Sequence, residues 1–159
     1  MKATKALRRA AVGITAGLLA LAWPMASAGS AQAATGYGAT LSEPGVLYPG
    51  DYLESGDTRL YMQGDGNFVL YKYAQWNPTP VWAAPGALGC GTKAIMQGDG
   101  NLVVYGAGDR ICWASDTYKT SSFQTAGVQV QEHGGLKIVF TDTRQWSYRW
   151  ATIRSSDPY

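Results

Sequence analysis

The stretch at residues 62–71, MQGDGNFVLY, recurs as MQGDGNLVVY at 96–105. A third, weaker copy, QEHGGLKIVF, follows at 131–140, so that the glutamines of the three copies stand 34 residues apart. Each copy holds β-prone runs on both sides of a Gly-rich turn, and Asp-Gly is a strong hairpin signal. A unit of this size cannot bury its own apolar face, so the repeat predicts three β units packed together in one domain.

A Trp-Ala pair follows each copy along the chain. We expect the three tryptophans to meet where the units pack around a common axis; they are Trp82, Trp113 and Trp150. Met62 and Met96 directly precede the glutamine of their copies and are expected to point inward. The sequence shows no long helical periodicity. It predicts a single all-β domain with threefold pseudo-symmetry.

The length of the turn decides whether the alternate residues of a copy can act together. A straight strand would carry Gln63 and Tyr71 about 26 Å apart. A two-residue loop would send Val69 to the face opposite Gln63, whereas a three-residue loop at 65–67 sets Gln63 opposite Val69 and keeps Tyr71 on the same face. We predict the three-residue loop, because it gathers the five alternate side chains at one end of the hairpin.

The gathered side chains have the chemistry that a sugar requires. Asp65 accepts charge-strengthened hydrogen bonds, and Asn67 and Gln63 both donate and accept. Tyr71 adds a hydroxyl, and Val69 adds a small apolar patch. Vicinal sugar hydroxyls both give and accept hydrogen bonds around a small C–H face. The copy therefore predicts a carbohydrate-binding site.

The second copy repeats this set as Gln97, Asp99, Asn101, Val103 and Tyr105. Gly, Asp and Asn are also common residues of turns, and a purely structural role would be the preferred explanation of a single copy. Two copies at equal spacing that keep the glutamine and the asparagine favour a binding site instead. A calcium loop would need further acidic residues, and no nucleophile stands with a base. We predict no metal, no cofactor and no enzymatic activity.

The start of the chain has the features of a secretory signal peptide. Four basic residues precede an apolar run at 10–23, and small residues end in an A-x-A sequence at 31–33. The run is short for a membrane anchor, and no later apolar stretch has spanning length. We predict a signal peptide at 1–33, one domain over 34–159, secretion to the extracellular space and no membrane insertion.

The net charge and the cysteine content restrict the possible partners and the possible bonds of the chain further. Without the four basic residues of the leader, nine basic and eleven acidic residues remain, a net charge of −2. This removes the electrostatic case for nucleic acid as a partner. Cys90 and Cys112 are the only cysteines, and such a pair in an exported chain predicts a disulfide worth about 3 kcal/mol. With the single His133 they form an incomplete metal ligand set.

The two complete copies match the signature Q-x-D-x-N-x-V-x-Y, and the chain thereby resembles the bulb-type, mannose-binding lectins first known from monocot plants. The LYPGDYLESG lead-in at 47–56 and the Trp-Ala-Ser/Thr endings are similar as well, so that the resemblance covers about 40–153. It implies a β-prism II fold of three four-stranded sheets around a pseudo-threefold axis. It also implies one sugar pocket per complete copy.

The resemblance further implies a role for each residue of a copy. Asp65 and Asn67 would bind the axial 2-hydroxyl of mannose, and Gln63 would bind the 3-hydroxyl. Tyr71 would bind the 4-hydroxyl, with Val69 packed on the ring carbons. The residues of the second copy match these roles one for one.

Other parts of the chain depart from the family pattern. The third copy keeps only Gln131, and Lys137 puts a charge where the sugar ring should pack, so we expect no mannose pocket and a repeat that only closes the prism. Many plant members carry one cysteine inside the first motif, whereas the two cysteines here flank the second. Family members often dimerise by exchanging C-terminal strands, which makes a homodimer through 149–159 possible. Tyr73 and Trp76, in a long connection, would extend a pocket toward a second sugar or pack over a sheet edge.

The predicted function is that of a secreted lectin with two sites for mannose-type glycans. One alternative is a lectin-like antibacterial toxin, or bacteriocin, and another is a secreted scaffold or inhibitor on the same fold. A glycosidase using Asp65 and Asp99 would need the two carboxylates within roughly 5–10 Å of each other. Equivalent positions on different faces of a prism do not meet that requirement.

Overall fold

The computed structural model describes residues 40–75 and 77–156, and in them twelve strands form three antiparallel sheets of four strands each. The first sheet contains β3 (Tyr52–Ser55), β4 (Thr58–Met62), β5 (Phe68–Ala74) and β6 (Asn77–Ala83). The second contains β2 (Gly45–Leu47), β7 (Gly91–Met96), β8 (Leu102–Gly106) and β9 (Ile111–Ala114). The third contains β1 (Thr40–Ser42), β10 (Gln124–Gln131), β11 (Gly135–Asp142) and β12 (Ser147–Arg154). The prediction of an all-β prism of three four-stranded sheets is confirmed.

The repeats in the sequence and the sheets do not coincide at the start of the chain. Strand β1 pairs with β10 of the third sheet, and β2 pairs with β7 of the second. Only the first sheet is continuous in sequence, because it takes all its strands from β3 to β6. The second and third sheets are therefore completed by residues that precede the first repeat. The predicted signal peptide lies outside the described residues.

The core lies between the inner faces of the sheets. Met62 and Met96 are fully buried, which confirms the inward orientation expected for them. Each sheet contributes alternate apolar side chains to the same cluster, among them Leu60, Phe68, Leu70, Leu102, Val104, Ile138 and Phe140. Because strand side chains alternate between faces, the residues between these point outward. The polar residues of both complete copies thereby come to the outer surface.

The tryptophan prediction is correct for two residues and wrong for the third. Trp82 and Trp113 pack in a T-shaped arrangement with ring centroids 5.3 Å apart, against the core cluster. Trp150 is instead 60% exposed. Trp82 lies opposite Leu70 and faces inward, whereas Trp150 lies opposite Val139 and faces outward.

The reason for this difference is the position of a β-bulge. In the first two sheets the register shifts after Leu70 and after Val104, one step beyond the valine of the motif. In the third sheet it shifts earlier, between Leu136 and Lys137. The displaced bulge moves the Trp-Ala pair by one residue, and a one-residue shift turns a strand's side chains to the other face.

The hairpin loop has the predicted odd length but begins one residue earlier than predicted. Met62 lies opposite Phe68, and the Gln63 N–H donates to the Asn67 carbonyl at 2.8 Å, so the loop consists of residues 64–66. The expected pairing of Gln63 with Val69 is wrong, since Val69 lies opposite Tyr61. Gly66 closes the loop with φ of +86°, a left-handed conformation that such loops require at their last position and that glycine adopts without strain.

The predicted disulfide between Cys90 and Cys112 is confirmed. It joins the residue before β7 to strand β9, with the two Cα atoms 6.0 Å apart. The bridge therefore links the start of β7 to β9, the two strands on either side of β8, and stabilises this end of the second sheet. Gly106 lies directly against it, since a Cβ there would be 2.6 Å from the Cys90 carbonyl oxygen.

Each repeat's turn is hydrogen-bonded to the next repeat in the sequence. The Asp65 carbonyl accepts from the Gly89 N–H, before the second sheet's β7, at 2.8 Å. The Asp99 carbonyl accepts from the Lys119 N–H, before the third sheet's β10, also at 2.8 Å. The third turn contacts the first sheet and so completes a cycle of contacts among the three repeats. The bond here is of a different kind, because the His133 N–H donates to a side-chain carboxylate oxygen, that of Asp57 between β3 and β4.

Asp57 gives this closing contact a dependence on pH. Partial burial opposes its ionisation, but hydrogen bonds donated by the His133 amide and the Thr58 hydroxyl outweigh burial, so the pKa of Asp57 lies below its ordinary value of 3.8. A lowered acid pKa stabilises the fold above the unfolded-state pKa, and that stabilisation is lost as the pH falls through the folded-state pKa.

We expect Asp57→Asn to lower the free energy of unfolding by about 1 kcal/mol at pH 6, because hydrogen bonds to a charged acceptor become bonds to a neutral one. The difference from the unsubstituted chain should shrink as the pH falls below the unfolded-state pKa of about 4 and then through the lower folded-state pKa of Asp57. Urea unfolding at pH 6 and pH 3 measures both values. Asp116→Asn, which neutralises an exposed carboxylate, is the control. A loss of unfolding free energy in Asp57→Asn that stays constant with pH would contradict the role given to the Asp57 carboxylate.

Candidate functional site

The structure brings the five residues of the first copy to one patch on the outer face of the first sheet. Gln63 and Asn67 flank the turn, and Tyr71 follows on β5. The Gln63 side-chain amide donates to the Tyr71 hydroxyl at 3.1 Å, and the Asn67 N–H donates to the Asp65 carboxylate at 2.9 Å. These bonds fix the orientation of an amide, a phenol and a carboxylate that share one small surface.

The second sheet carries the same arrangement. The Gln97 amide donates to the Tyr105 hydroxyl at 2.7 Å, and the Asn101 N–H donates to the Asp99 carboxylate at 2.9 Å. The loop is closed by Gly100 with φ of +90°. Two hairpins with different flanking sequences thus reach one geometry.

The valines of the two copies are more enclosed than the sequence suggested. Val69 and Val103 are each only 2% exposed. In the first sheet the Tyr61 and Tyr71 rings, with centroids 6.0 Å apart, stand on either side of Val69 in the paired strands. Each valine therefore forms the floor of its patch and offers little open apolar area.

The two patches differ at their asparagines. Asn101 is 6% exposed, its side-chain N–H donates to the Tyr118 hydroxyl at 3.2 Å, and its side-chain oxygen accepts from Ser115 at 3.0 Å. One N–H and one lone pair remain for a ligand. Asn67 is half-buried, and in the described part of the chain its side chain makes no hydrogen bond. The first patch consequently has more free hydrogen-bonding capacity than the second.

The first patch also has an aromatic rim that the second lacks. Tyr61 contacts Tyr71, and its hydroxyl lies 3.2 Å from that of Tyr73. The Arg59 guanidinium lies 4.7 Å from the centroid of the Tyr73 ring and also bonds Glu54. Burial raises the pKa of Tyr73, and the hydrogen bond with Tyr61 raises it further. Tyr73, which was predicted to lie in a connection, is part of β5 and extends this rim, whereas Trp76 lies outside the described residues.

At the positions that match Tyr61 and Arg59, the second sheet has Ile95 and Lys93. Lys93 pairs with Asp109 at 2.9 Å and lies 5.7 Å from the centroid of the Tyr105 ring. The motif alone does not reveal this asymmetry, because these residues lie outside it. Alternation along β4 was the signal that could have revealed them, since they share a face with Gln63.

The third sheet has no equivalent of this arrangement. His133, at the position of the aspartate, has φ of +60°, and its ring nitrogen lies 3.4 Å from Asp57 of the first sheet. Gly135 and Val139 replace the asparagine and the tyrosine. Lys137, at the position of the valine, lies with its ammonium 5.4 Å from the centroid of the Trp150 ring. The structure does not bring these residues into a polar patch of the same kind.

Residues 40–75 and 77–156 contain no group of three or more His, Cys, Asp or Glu side chains that could hold a metal ion. Within the same residues, no helix has the length and apolar character needed to cross a membrane.

Several solved structures are similar to this chain. A lectin from Polygonatum cyrtonema in complex with a monomannoside is 34% identical, over 62% of this chain and 86% of that one, with a TM-score of 0.53. The snowdrop (Galanthus nivalis) mannose-specific agglutinin in complex with methyl-α-D-mannoside is 31% identical, over 74% of this chain and 98% of that one, with a TM-score of 0.56.

A monomeric monocot mannose-binding lectin from Gastrodia elata is 30% identical, over 75% of this chain and 96% of that one, with a TM-score of 0.54. No protein-family model and no curated protein matches the chain. Identity at this level extends over nearly the full length of the snowdrop and Gastrodia lectins and accompanies the same three-sheet fold. The chain therefore belongs to the bulb-type, monocot mannose-binding lectins, a family of non-enzymatic binding proteins.

Proposed function

We propose that the chain is a secreted lectin that binds mannose-type glycans through two pockets, one on the outer face of the first sheet and one on that of the second. The observation that carries the proposal is the recurrence of the same hydrogen-bonded set of glutamine, tyrosine, aspartate and asparagine in both pockets. Two similar chains, named as a mannose-binding lectin and a mannose-specific agglutinin, support the sugar class. The leader sequence supports secretion.

The hydrogen bonds within a pocket leave the right groups available for a sugar. Because the Gln63 N–H donates to the Tyr71 oxygen, the tyrosine keeps its own O–H as a donor and the amide keeps its oxygen as an acceptor. The Asn67 N–H holds one Asp65 oxygen, and the carboxylate keeps further lone pairs for sugar hydroxyls. Groups held in position before binding lose little conformational entropy when the ligand arrives.

By the family pattern, Asp65 and Asn67 receive the 2-hydroxyl of mannose, Gln63 the 3-hydroxyl and Tyr71 the 4-hydroxyl, over the floor formed by Val69. The second pocket uses the matching residues of its copy. Each contact exchanges a hydrogen bond to water for one to protein at small net gain, so a single pocket should bind weakly. Branched glycans that occupy both pockets, or both pockets of several molecules, would bind with higher avidity.

A homodimer by exchange of the C-terminal strand stays a prediction. In the described chain β12 pairs with its own β11, from Leu136 to Asp142. Exchange would replace these pairs by identical ones with the β11 strand of a second copy. Such a dimer would double the number of pockets without changing any of them.

The test is calorimetric titration of the purified product of the full chain with a mannose disaccharide. We expect two sites, of which the first is the tighter because Asn67 is less engaged than Asn101. Asp65→Ala and Asp99→Ala should each remove one site, weakening it by about 10- to 100-fold through loss of a charged acceptor, and the double variant should release no heat.

Glu132→Ala is the matched control, because it removes an exposed carboxylate of the third turn that belongs to neither pocket. Circular dichroism and thermal unfolding establish that every variant is folded. Absence of heat at millimolar disaccharide from the folded, unsubstituted chain would refute mannose binding. Equal binding by the double variant would refute the assignment of the pockets.

A further inference from the structure

A second type of groove lies on the outer face of the third sheet, where the mannose motif is lost. Its volume is about 530 Å³. The residues that line it come from three adjacent strands and are Gln129, Gln131, Lys137, Val139, Thr141, Tyr148 and Trp150. None of these lining residues is acidic. The two proposed mannose pockets use no residue of this set.

Two aromatic rings of β12 are exposed at this groove. Trp150 is 60% exposed and Tyr148 69%, and they lie opposite Val139 and Thr141 on β11. Large exposed aromatic surface in a polar setting usually marks a binding site, because rings of this kind pack against the apolar face of a ligand while neighbouring groups bind its polar atoms. A pyranose ring has such a face on its C–H side.

The groove also contains a positive charge with no counter-charge. The Lys137 ammonium lies 5.4 Å from the centroid of the Trp150 ring and forms no ion pair within the described residues. A cation held against an aromatic ring is favourable, but its hydrogen-bonding capacity is not used by the ring. Gln131 and Thr141 add neutral donors and acceptors around it. The ligand that complements this set has an apolar ring face, hydroxyls and one negative charge.

We infer that the groove is a third saccharide site, specific for an acidic sugar such as a hexuronic acid residue of an anionic polysaccharide. The sugar ring packs against Trp150, its carboxylate pairs with Lys137, and Gln131 and Thr141 bind its hydroxyls. The inference rests on the proposed lectin function and adds a ligand class that the mannose motif does not bind. The charge that excludes mannose at Lys137 becomes the basis of recognition.

A second copy of the chain fits this face less well than an acidic sugar does. A twofold contact presents the same surface from both subunits. Two Lys137 ammonium groups would then enter one interface without any carboxylate among the lining residues to neutralise them. Burying unpaired like charges is costly, whereas a uronate brings the missing charge with it.

The experiment is titration of the ¹⁵N-labelled product of the full chain with trigalacturonate, followed by two-dimensional NMR. The methyl ester of the same trisaccharide is the matched ligand, because it keeps the rings and removes the charge. We expect trigalacturonate to shift resonances of the third sheet only and to bind at least tenfold more tightly than the ester. Trp150→Ala should abolish binding, and Lys137→Gln should weaken it at least fivefold. Lys93→Gln, at a lysine of the second sheet, should leave it unchanged.

The outcomes separate this inference from the proposed function. If the mannose disaccharide shifts the first two sheets but trigalacturonate shifts nothing on the third, or if the ester binds as tightly as the acid, the acidic-sugar site is refuted while the mannose pockets stand. If trigalacturonate binds through Trp150 but the mannose disaccharide does not bind, the proposed function is refuted and the site on the third sheet stands. The Asp65→Ala/Asp99→Ala variant should bind trigalacturonate normally.

Discussion

Replacing both cysteines, as Cys90→Ser/Cys112→Ser, should lower the free energy of unfolding by about 3 kcal/mol and the melting temperature by about 10 °C. The two cysteines are 22 residues apart in sequence, and a bridge over a loop of this size removes that much conformational freedom from the unfolded chain. The bridge also supports packing in the folded state, where Gly106 leaves no room between itself and the two sulfurs. Both effects are lost together in the double variant.

Urea unfolding with and without a thiol reductant measures this loss. The reductant should bring the unsubstituted chain to the stability of the double variant and leave the variant unchanged. Because Cys112 lies in β9, beside the strand that carries Tyr105, we also expect the second pocket to weaken more than the first. A double variant as stable as the original chain would show that the bridge contributes nothing to the fold.

Gly66→Ala should destabilise the domain by about 3 kcal/mol and remove the first pocket. Gly66 has φ of +86°, which costs an alanine roughly 1 kcal/mol or more. A Cβ at this position would also lie 2.8 Å from both the backbone nitrogen and the backbone oxygen of Gly91, so one of the two segments must move. Since this turn holds Asp65, its displacement should weaken the first pocket at least about tenfold, by loss of a charged contact.

Gly64→Ala is a control from the same turn. A Cβ there meets no atom within 4 Å, and the backbone conformation is one that alanine adopts without strain. Thermal unfolding and calorimetric titration of the two variants should show a change within about 0.5 kcal/mol for Gly64→Ala and the large losses only for Gly66→Ala. Equal behaviour of the two variants would contradict the role given to the contact between Gly66 and Gly91.

The architecture could be predicted from the sequence because the repeated motif fixes both the hairpin and its inner and outer faces. Met62 and Met96 point inward as expected, and Gln63 and Tyr71 share the outer face. Details of register could not be predicted. A one-residue change in loop position leaves the alternation intact, so the pairing of Gln63 was predicted incorrectly although its face was not.

Trp150 shows a second limit of reasoning from repeats. The Trp-Ala pair recurs in all three copies, yet a bulge moved along the strand turns the third tryptophan outward. A bulge has no residue signature of its own here. Nor does the motif reveal that Tyr118 and Ser115 occupy part of the Asn101 side chain, because both residues lie after the motif in the sequence. Ser115 follows the second Trp-Ala pair directly, where the first repeat has Ala84.

The hydrogen bonds that join each turn to a neighbouring sheet separate the structural role of a repeat from its proposed binding role. The hydrogen bonds from the turns to the neighbouring repeats use the main chain at Asp65, Asp99 and His133, and not the outward-facing glutamine and tyrosine side chains. A repeat can therefore exchange its outward residues without releasing its neighbours. Because the cycle has no end repeat, each face of the prism can change its outward side chains independently of the other two, which is what two proposed mannose pockets and an inferred acidic-sugar site on separate faces of one small domain require.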